Sequence, residues 1–186
     1  MTLEEVLEEA ELKMMKSVEV VKSEFSSIRT GKASPALVEN VLVDYYGSKT
    51  RLRDLAGISA PEARLLVVQP WDPGALEAVA KAIQSANIGL NPMNDGKIIR
   101  IPIPEMSEER RQDMVKVIKT ISEEGRVSIR NIRREANSEL EDLFKAGNLP
   151  EDDKFRGLKE VQEKTDQYIE EIDTILKEKE EELLRI

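Results

Sequence analysis

The chain has 186 residues, a net charge of −9 at neutral pH, and neither cysteine nor histidine. This length provides one large domain or two small ones, and the composition excludes a disulfide framework, a thiolate metal site and a histidine general base. Charged residues make up 35% of the chain and aromatic residues 4%, which favours long exposed helices over a thick core. No apolar run is long enough to span a membrane, and the acidic N-terminus is unlike a signal peptide, so we expect a cytoplasmic protein.

Residues 2–30 predict the first long helix. Thr2 and Glu5 form a T-x-x-E capping box, in which each side chain accepts a hydrogen bond from the other residue's backbone N–H. Gly31 follows as a C-terminal breaker. The helix carries one apolar seam, made by Leu3, Leu7, Ala10, Met14, Val21, Phe25 and Ile28. A long helix with a single apolar seam requires a partner that covers it.

The segment that follows contains seven of the eight prolines. Alternation around Val43 predicts a strand that ends in a tight turn at Gly47, and residues 64–70 predict a second, apolar strand. As neighbours on a strand, Tyr45 and Tyr46 are expected to point to opposite faces, so that at most one of them is exposed.

A helix and a hairpin complete this small module. Residues 71–87 predict a helix capped by Asp72, and residues 88–104 predict a strand, a turn at Asp95 and Gly96, and another strand. The expected core residues of the module are Trp71, Leu76, Val79, Ile83 and Ile99.

Residues 107–147 predict the second long helix, roughly 60 Å in length. Ser107 is a suitable N-cap with Glu108 in the first turn, and Gly147 supplies a left-handed residue at the end. The apolar seam of this helix is interrupted at Gly125 and at a serine. Its members are Met114, Ile118, Ile121, Ser128, Ile132, Ala136 and Leu143.

A second line on the same helix is basic, and it consists of Lys119, Arg126, Arg130 and Arg133. It lies roughly 100–160° around the helix from the seam. Residues 110–134 carry a net charge of +5, whereas residues 148–186 carry a net charge of −6. Two interpretations are open at this point: a solvated helix face, or a local surface for RNA on an otherwise acidic protein.

Residues 150–184 predict the third long helix, with Glu151 and two aspartates in its first turn. Gly157 is expected to weaken it by up to about 1 kcal/mol relative to alanine. Its apolar seam consists of Leu158, Val161, Thr165, Tyr168, Ile172, Ile175 and Leu183.

Long helices on both sides of a different segment predict a discontinuous domain. Residues 1–30 and 106–186 then form a three-helix bundle, and residues 31–105 form an inserted α/β domain. Two adjacent crossings make either a hinge or a junction fixed by packing, and the sequence leaves both open. The crossing residues are Arg29, Thr30, Gly31, Ile103, Pro104 and Glu105.

Two motifs that suggest metal sites have simpler explanations. Residues 94–97 (NDGK) share part of a calcium-loop pattern, but the other ligands are missing and a hairpin turn accounts for them. Asp152 and Asp153 are better explained as helix N-terminal charge. The chain also lacks a G-x-x-x-x-G-K-[ST] phosphate loop, so we expect no catalytic residue, no metal and no cofactor.

Three segments resemble the bacterial ribosome recycling factor family: SIRTGKASPALVENVLVDYYG, GLNPMNDGKIIRIPIPEMSEERR and GRVSIRNIRREAN. The most specific signals are R-T-G-K-A-S-P at residues 29–35 and R-N-I-R-R-E-A-N at residues 130–137. The resemblance covers the whole chain in order.

The resemblance implies an α+β, L-shaped protein with a long antiparallel three-helix bundle, similar in size to a transfer RNA. A small inserted β/α/β sandwich domain would be joined to the bundle by a two-strand hinge. It also implies a monomeric, non-enzymatic translation factor that, with elongation factor G and GTP, dissociates post-termination ribosomes into subunits. The expected partners are elongation factor G and the ribosome, chiefly large-subunit ribosomal RNA, with no membrane and no small-molecule substrate.

The family's ribosomal-RNA contacts correspond here to Arg110, Arg130 and Arg133. Position on the basic face adds Arg126, Arg134 and Lys119. Arg110 lies roughly 160° around the helix from Arg130, so it either contacts RNA near the helix end or caps an end of the bundle. Because the few aromatic residues are scattered, binding should follow shape and backbone charge rather than base sequence.

Two rival functions are weighed against this one. A helical adaptor would bind a protein partner through coiled-coil faces and would not associate with ribosomes. An enzyme built on the α/β module would lack histidine, cysteine and a phosphate loop; a carboxylate or lysine enzyme stays formally open, but no paired constellation of such residues supports it.

Overall fold

The structure is a computed structural model of the chain, and it describes residues 2–185. The helices are α1 (Leu3–Ser27), α2 (Leu52–Leu55), α3 (Leu76–Ser85), α4 (Glu108–Lys145) and α5 (Glu151–Leu184). The strands are β1 (Leu42–Tyr45), β2 (Ser48–Arg51), β3 (Ala56–Glu62), β4 (Leu65–Pro70), β5 (Met93–Asn94) and β6 (Ile99–Pro102). No helix in residues 2–185 combines the length and the hydropathy of a membrane span.

The chain divides into two compact units. The helical unit comprises the residues up to Phe25 together with those from Arg111 onward, and the sheet unit comprises Ser26–Arg110. Both boundaries lie inside long helices, near the end of α1 and near the start of α4. The predicted crossing segments, 29–31 and 103–105, therefore belong to the sheet unit.

Three predicted helix ends are confirmed: the start of α1 and both ends of α4. Thr2 N donates to Glu5 Oε2 at 2.8 Å, and Glu5 N donates to Thr2 Oγ1 at 3.2 Å, which completes the capping box before α1. Ser107 Oγ accepts a hydrogen bond from Arg110 N at 3.3 Å, and Gly147 has a φ of +75° after the last turn of α4. The first helix was predicted to extend to residue 30, but it ends at Ser27.

Helices α1, α4 and α5 meet at two glycines. A Cβ on Gly157 would lie 2.6 Å from Leu3 Cδ1 and 3.1 Å from Leu140 Cδ1. A Cβ on Gly125 would lie 2.6 Å from Val21 Cγ2 and 3.1 Å from Ile172 Cδ1. From the contact at Gly157 to the contact at Gly125, the residue numbers rise in α1 and in α5 but fall in α4. Helix α4 therefore runs antiparallel to both of its neighbours.

The predicted interruption of the α4 seam at Gly125 is wrong. Glycine is buried there because no larger residue fits between two neighbouring helices, and Gly157 has the same role in α5. Val6 and Val18 were also missed in α1, where the predicted Leu7 is only half-buried, and the predicted Ile28 is half-buried and lies just after the helix end. The buried residues of α4 are Ile118, Ser122, Gly125, Ile129, Ile132, Ala136 and Leu140.

Small polar residues lie within the helical contacts and have hydrogen-bond partners. The Ser17 and Ser128 hydroxyl oxygens are 2.9 Å apart, joining α1 to α4. The buried hydroxyls of Ser122 and Thr165 donate to the carbonyls one turn earlier, at 2.9 and 2.7 Å. Because each hydroxyl is satisfied, these residues allow close helix approach without an unpaired polar group.

The sheet unit contains a four-stranded antiparallel sheet in the order β3-β4-β6-β5 and a separate β1-β2 hairpin. Helix α3 buries Leu76, Val79 and Ile83 in a core shared with the sheet residues Val68 and Ile99. The hairpin between β5 and β6 confirms the predicted turn, with Gly96 at a φ of +95°. Strand β3 was not predicted, because this edge strand is mostly exposed and lacks an apolar alternation.

Trp71 is a wrong core prediction, since 68% of its surface is exposed. Leu66, Val68 and Pro70 occupy the buried face of β4, so the next residue in the alternation, Trp71, falls on the opposite face. The module core excludes its only tryptophan for this geometric reason.

Only one of the adjacent tyrosines is exposed, as predicted, but their expected opposite orientation is wrong. Tyr46 is 82% exposed and lies in a left-handed turn at a φ of 48°, followed by Gly47 at 81°. The rings of Tyr45 and Tyr46 contact each other edge to face, with centroids 4.6 Å apart. Both hydroxyls donate to Asp72 Oδ2, at 2.9 and 3.4 Å, and the same carboxylate accepts the Gly74 N–H that caps the following turn.

Gly125→Ala is expected to lower the free energy of unfolding by about 1 kcal/mol, because overpacking against Val21 outweighs the helix propensity that alanine adds. Urea unfolding followed by circular dichroism measures the change. Combined with Val21→Ala, which removes the clashing methyl group, the loss should be smaller than the sum of the two single losses. A Gly125→Ala variant more stable than the parent would contradict this packing account.

Candidate RNA-binding face of helix α4

The basic row, defined as Lys119, Arg126, Arg130 and Arg133, lies directly beside the buried seam of α4. Each of its members follows a buried residue: Ile118, Gly125, Ile129 and Ile132, respectively. Since consecutive helical residues differ by roughly 100°, the row borders the contact between helices instead of facing away from it. Side chains of α5 can therefore reach it.

Arg126 joins two helices. Its Nε donates to Asp173 Oδ1 on α5 at 2.8 Å, and its Nη1 donates to Glu123 Oε2 on α4 at 2.9 Å. Only 20% of its side chain is exposed. Because two carboxylates bind this guanidinium group and most of the side chain is enclosed by the bundle, Arg126 mainly links α4 to α5.

Glu123 also binds the next arginine of the row. Arg130 Nη2 donates to Glu123 Oε1, and 37% of the Arg130 side chain is exposed. The hydrogen bonds from Arg126 and Arg130 hold the pKa of Glu123 below its usual range, so this carboxylate is ionised at neutral pH.

The remaining cations of the predicted face fall into two groups. Lys119 Nζ is 3.0 Å from Glu180 Oε1 on α5. Arg133 Nη1 donates to Gln162 Oε1 at 3.3 Å, and Arg134 Nη1 donates to Asn131 Oδ1 at 3.1 Å. Both of these arginines bind neutral groups, and neither has a carboxylate within ion-pair distance in residues 2–185.

Arg110 lies apart from the basic row in the first turn of α4 and belongs to the sheet unit. Its side chain is exposed, and its backbone N–H binds the cap residue Ser107. Its guanidinium has no ion-pair partner among the described residues. Among the described residues, Arg110, Arg133 and Arg134 thus have no carboxylate partner, whereas the other three predicted contacts are ion-paired.

The crossing residues are held by the sheet unit. Arg29 Nη1 donates to the Ile88 carbonyl at 3.0 Å and lies against Gly89, where an added Cβ would be 2.9 Å away. At the other crossing, Ile103 N donates to the Arg64 carbonyl at 2.8 Å. The Arg64 guanidinium pairs with Glu105, while Thr30 and Ile103 are buried and Gly31 has a φ of +79°.

The NDGK segment forms a turn whose side chains bind the backbone. Asn94 Oδ1 accepts the Gly96 N–H at 2.9 Å, and Asp95 Oδ1 accepts the Ile98 N–H at 3.1 Å. The hydrogen bond from Ile98 lowers the pKa of Asp95, and the Lys97 N–H and the Arg100 guanidinium lower it further. Within residues 2–185 no group of three acidic, histidine or cysteine side chains is arranged to hold a metal ion.

Sequence reasoning missed the three carboxylates that bind the row: Glu123, Asp173 and Glu180. The sequence does contain a signal for Asp173. Asp173 directly follows the seam residue Ile172, just as Arg126 follows Gly125, so both flank the level at which α4 and α5 meet. Recognising Gly125 as a seam residue would have placed this pair together.

The comparisons with known proteins identify the chain as a translation factor. A family model described as ribosome recycling factor matches residues 21–184. The ribosome-recycling factor of Carboxydothermus hydrogenoformans is 50% identical over 99% of this chain and 100% of the relative, and that of Halothermothrix orenii is 48% identical with the same coverage. The chain belongs to the ribosome recycling factor family, as the resemblance predicted.

Solved structures agree with this assignment. A solution structure of a ribosome recycling factor matches with a TM-score of 0.83 and 42% identity, covering 100% of this chain and 99% of that chain. The T. thermophilus ribosome recycling factor, in models with E. coli elongation factor G bound to the E. coli post-termination complex, matches with a TM-score of 0.70 and 45% identity. That match covers 99% of this chain and 100% of the other. The predicted α+β class, with long helices and a separate small antiparallel domain, is confirmed.

Arg126→Met is expected to lower the free energy of unfolding by about 1 kcal/mol, because it removes the guanidinium that joins Glu123 to Asp173. The matched change Arg133→Met should stay within about 0.5 kcal/mol of the parent, since it breaks one long hydrogen bond to a neutral amide. Urea unfolding at low and high salt measures both, and the Arg126 effect should shrink with salt. Equal losses of unfolding free energy in the two variants would show that Arg126 does not specifically stabilise the contact between α4 and α5.

Proposed function

We propose that this chain recycles ribosomes: with elongation factor G and GTP, it dissociates post-termination ribosomes into subunits for a new round of initiation. The observation that carries the proposal is the basic row on one rigid helix, in a chain that belongs to the ribosome recycling factor family. The T. thermophilus relative, bound together with elongation factor G to a post-termination complex, supports the same partners here. The comparisons give no support to the alternative of a helical adaptor.

The basic row docks on phosphates of large-subunit ribosomal RNA. Guanidinium groups make charge-assisted, often bidentate contacts with phosphate oxygens. Arg130 and Arg133 carry this contact most directly, since Arg130 is partly exposed and Arg133 binds only a neutral amide. Arg134 and the separately placed Arg110 add exposed guanidinium groups, whereas Arg126 and Lys119 mainly bind α5.

The protein itself catalyses no reaction. It has no histidine, cysteine or phosphate-loop motif, so the energy for splitting comes from the partner GTPase. Elongation factor G acts on the sheet unit, which moves where the chain passes between the two units, next to the crossings at residues 29–31 and 103–105, while the helical unit disrupts the contacts between subunits. The factor works as a monomer in the cytoplasm.

Arg130→Ala combined with Arg133→Ala is expected to weaken binding to vacant large subunits. The slope of log K against log salt should become shallower by slightly less than about one unit for each lost phosphate contact. Sedimentation with large subunits over a salt series measures both quantities. The control is Arg156→Ala with Lys159→Ala, which removes two charges from α5 outside the basic row.

If the double variant at 130 and 133 retains the parent's affinity and slope, the basic row is not the docking face. An equal loss in the α5 control would point to net charge as the cause instead of a specific contact.

A reducible cross-link between the two units is expected to preserve binding to large subunits and to stop subunit splitting with elongation factor G and GTP. The chain contains no cysteine, so a cysteine introduced in each unit gives a defined site for a disulfide-containing reagent. Splitting should return after reductant is added to the same sample, which serves as its own control. Full splitting by the cross-linked protein would refute movement about the crossings.

A further inference from the structure

Glu123 occupies the centre of the basic row. One carboxylate oxygen accepts Arg126 Nη1 at 2.9 Å, and the other accepts Arg130 Nη2. Its side chain is 54% exposed, so the bound carboxylate lies at the surface where a phosphate would approach. Carboxylate and phosphate oxygens satisfy the same guanidinium donors, and only one of them can take a given N–H.

We propose that Glu123 is a specificity-determining residue of this face: its carboxylate competes with RNA phosphate for Arg130 and thereby suppresses binding to generic polyanions. The proposal rests on the proposed RNA contact of Arg130. An isolated RNA strand offers few phosphates at fixed positions, and at Arg130 it meets a guanidinium whose charge is already balanced by a carboxylate and one of whose N–H groups is already taken. A folded ribosomal surface offers several phosphates at once, so the cost of displacing one carboxylate is a smaller part of the binding free energy.

The other carboxylates beside the row differ from Glu123. Asp173 binds Arg126 and Glu180 binds Lys119, and both lie on α5, where they stabilise the contact between helices. Glu123 is on α4 itself and is the carboxylate that holds Arg130. If Glu123 is neutralised, Asp173 keeps Arg126 in place, so Arg130 is the guanidinium that becomes available.

The adjacent residue provides a matched control. Glu124 is exposed and has no ion-pair partner within residues 2–185. Glu124→Gln therefore changes the net charge by the same amount as Glu123→Gln without releasing an arginine. Both substitutions are conservative and affect exposed positions, so both variants should fold, which thermal unfolding checks.

The test measures binding of the full chain to a uridylate homopolymer and to vacant large subunits over a salt series. Glu123→Gln should bind the homopolymer about threefold more tightly at low salt, with a log K slope steeper by about 0.7, because one more phosphate is neutralised. Binding to large subunits should change by a smaller factor. Glu124→Gln should resemble the parent in slope, and adding Arg130→Ala to Glu123→Gln should abolish the gain.

Four outcomes would overturn the proposal. The first is equal effects of the two glutamate variants, which would assign the change to net charge. The second is weaker binding and a shallower slope for Glu123→Gln, because Glu123 would then orient the arginines for RNA. The third is a gain that persists without Arg130. The fourth is no effect of Glu123→Gln while the variant at residues 130 and 133 loses affinity for large subunits as expected, which refutes only the competition. If that variant binds large subunits as the parent does, the proposed function itself fails.

Discussion

The helical unit depends on how closely its three helices approach at two glycines. At Gly125 and Gly157 the space that a Cβ would occupy is filled by side chains of the neighbouring helices. Hydroxyl groups satisfied within their own helix, or by each other, keep the nearby contacts narrow without unpaired polar atoms. This close approach determines which surface residues come together, because side chains that flank the buried seam lie within reach of the next helix.

The electrostatics of the basic row follow from that packing. Its residues immediately follow the seam, so α5 meets Arg126 with Asp173 and Lys119 with Glu180. One helix therefore presents two kinds of cation: those bound into the bundle, and those, such as Arg133, that bind only neutral groups. A line of positive charge in the sequence does not by itself separate structural ion pairs from sites available to RNA.

The helix ends and the hairpin turn were predicted correctly, because short sequence motifs determine them. The capping box, the Ser107 cap, the Gly147 terminus and the hairpin at Gly96 were all confirmed, since each depends on residues a few positions apart. The missed features depend on contacts between distant segments: glycine in the seam of α4, the pairing of Arg126 with Asp173, and the edge strand β3. Trp71 was placed in the core by its hydrophobicity, whereas the register of β4 decided its exposure.

The contact between Arg29 and Gly89 links the entry of the sheet unit to the loop that follows α3. Gly89 has a φ of +70° and leaves no room for a Cβ beside the Arg29 guanidinium. Any side chain at this position would displace the group that holds the Ile88 carbonyl. The loop after α3 therefore packs against the entry of the sheet unit, although it lies sixty positions from Arg29 along the chain.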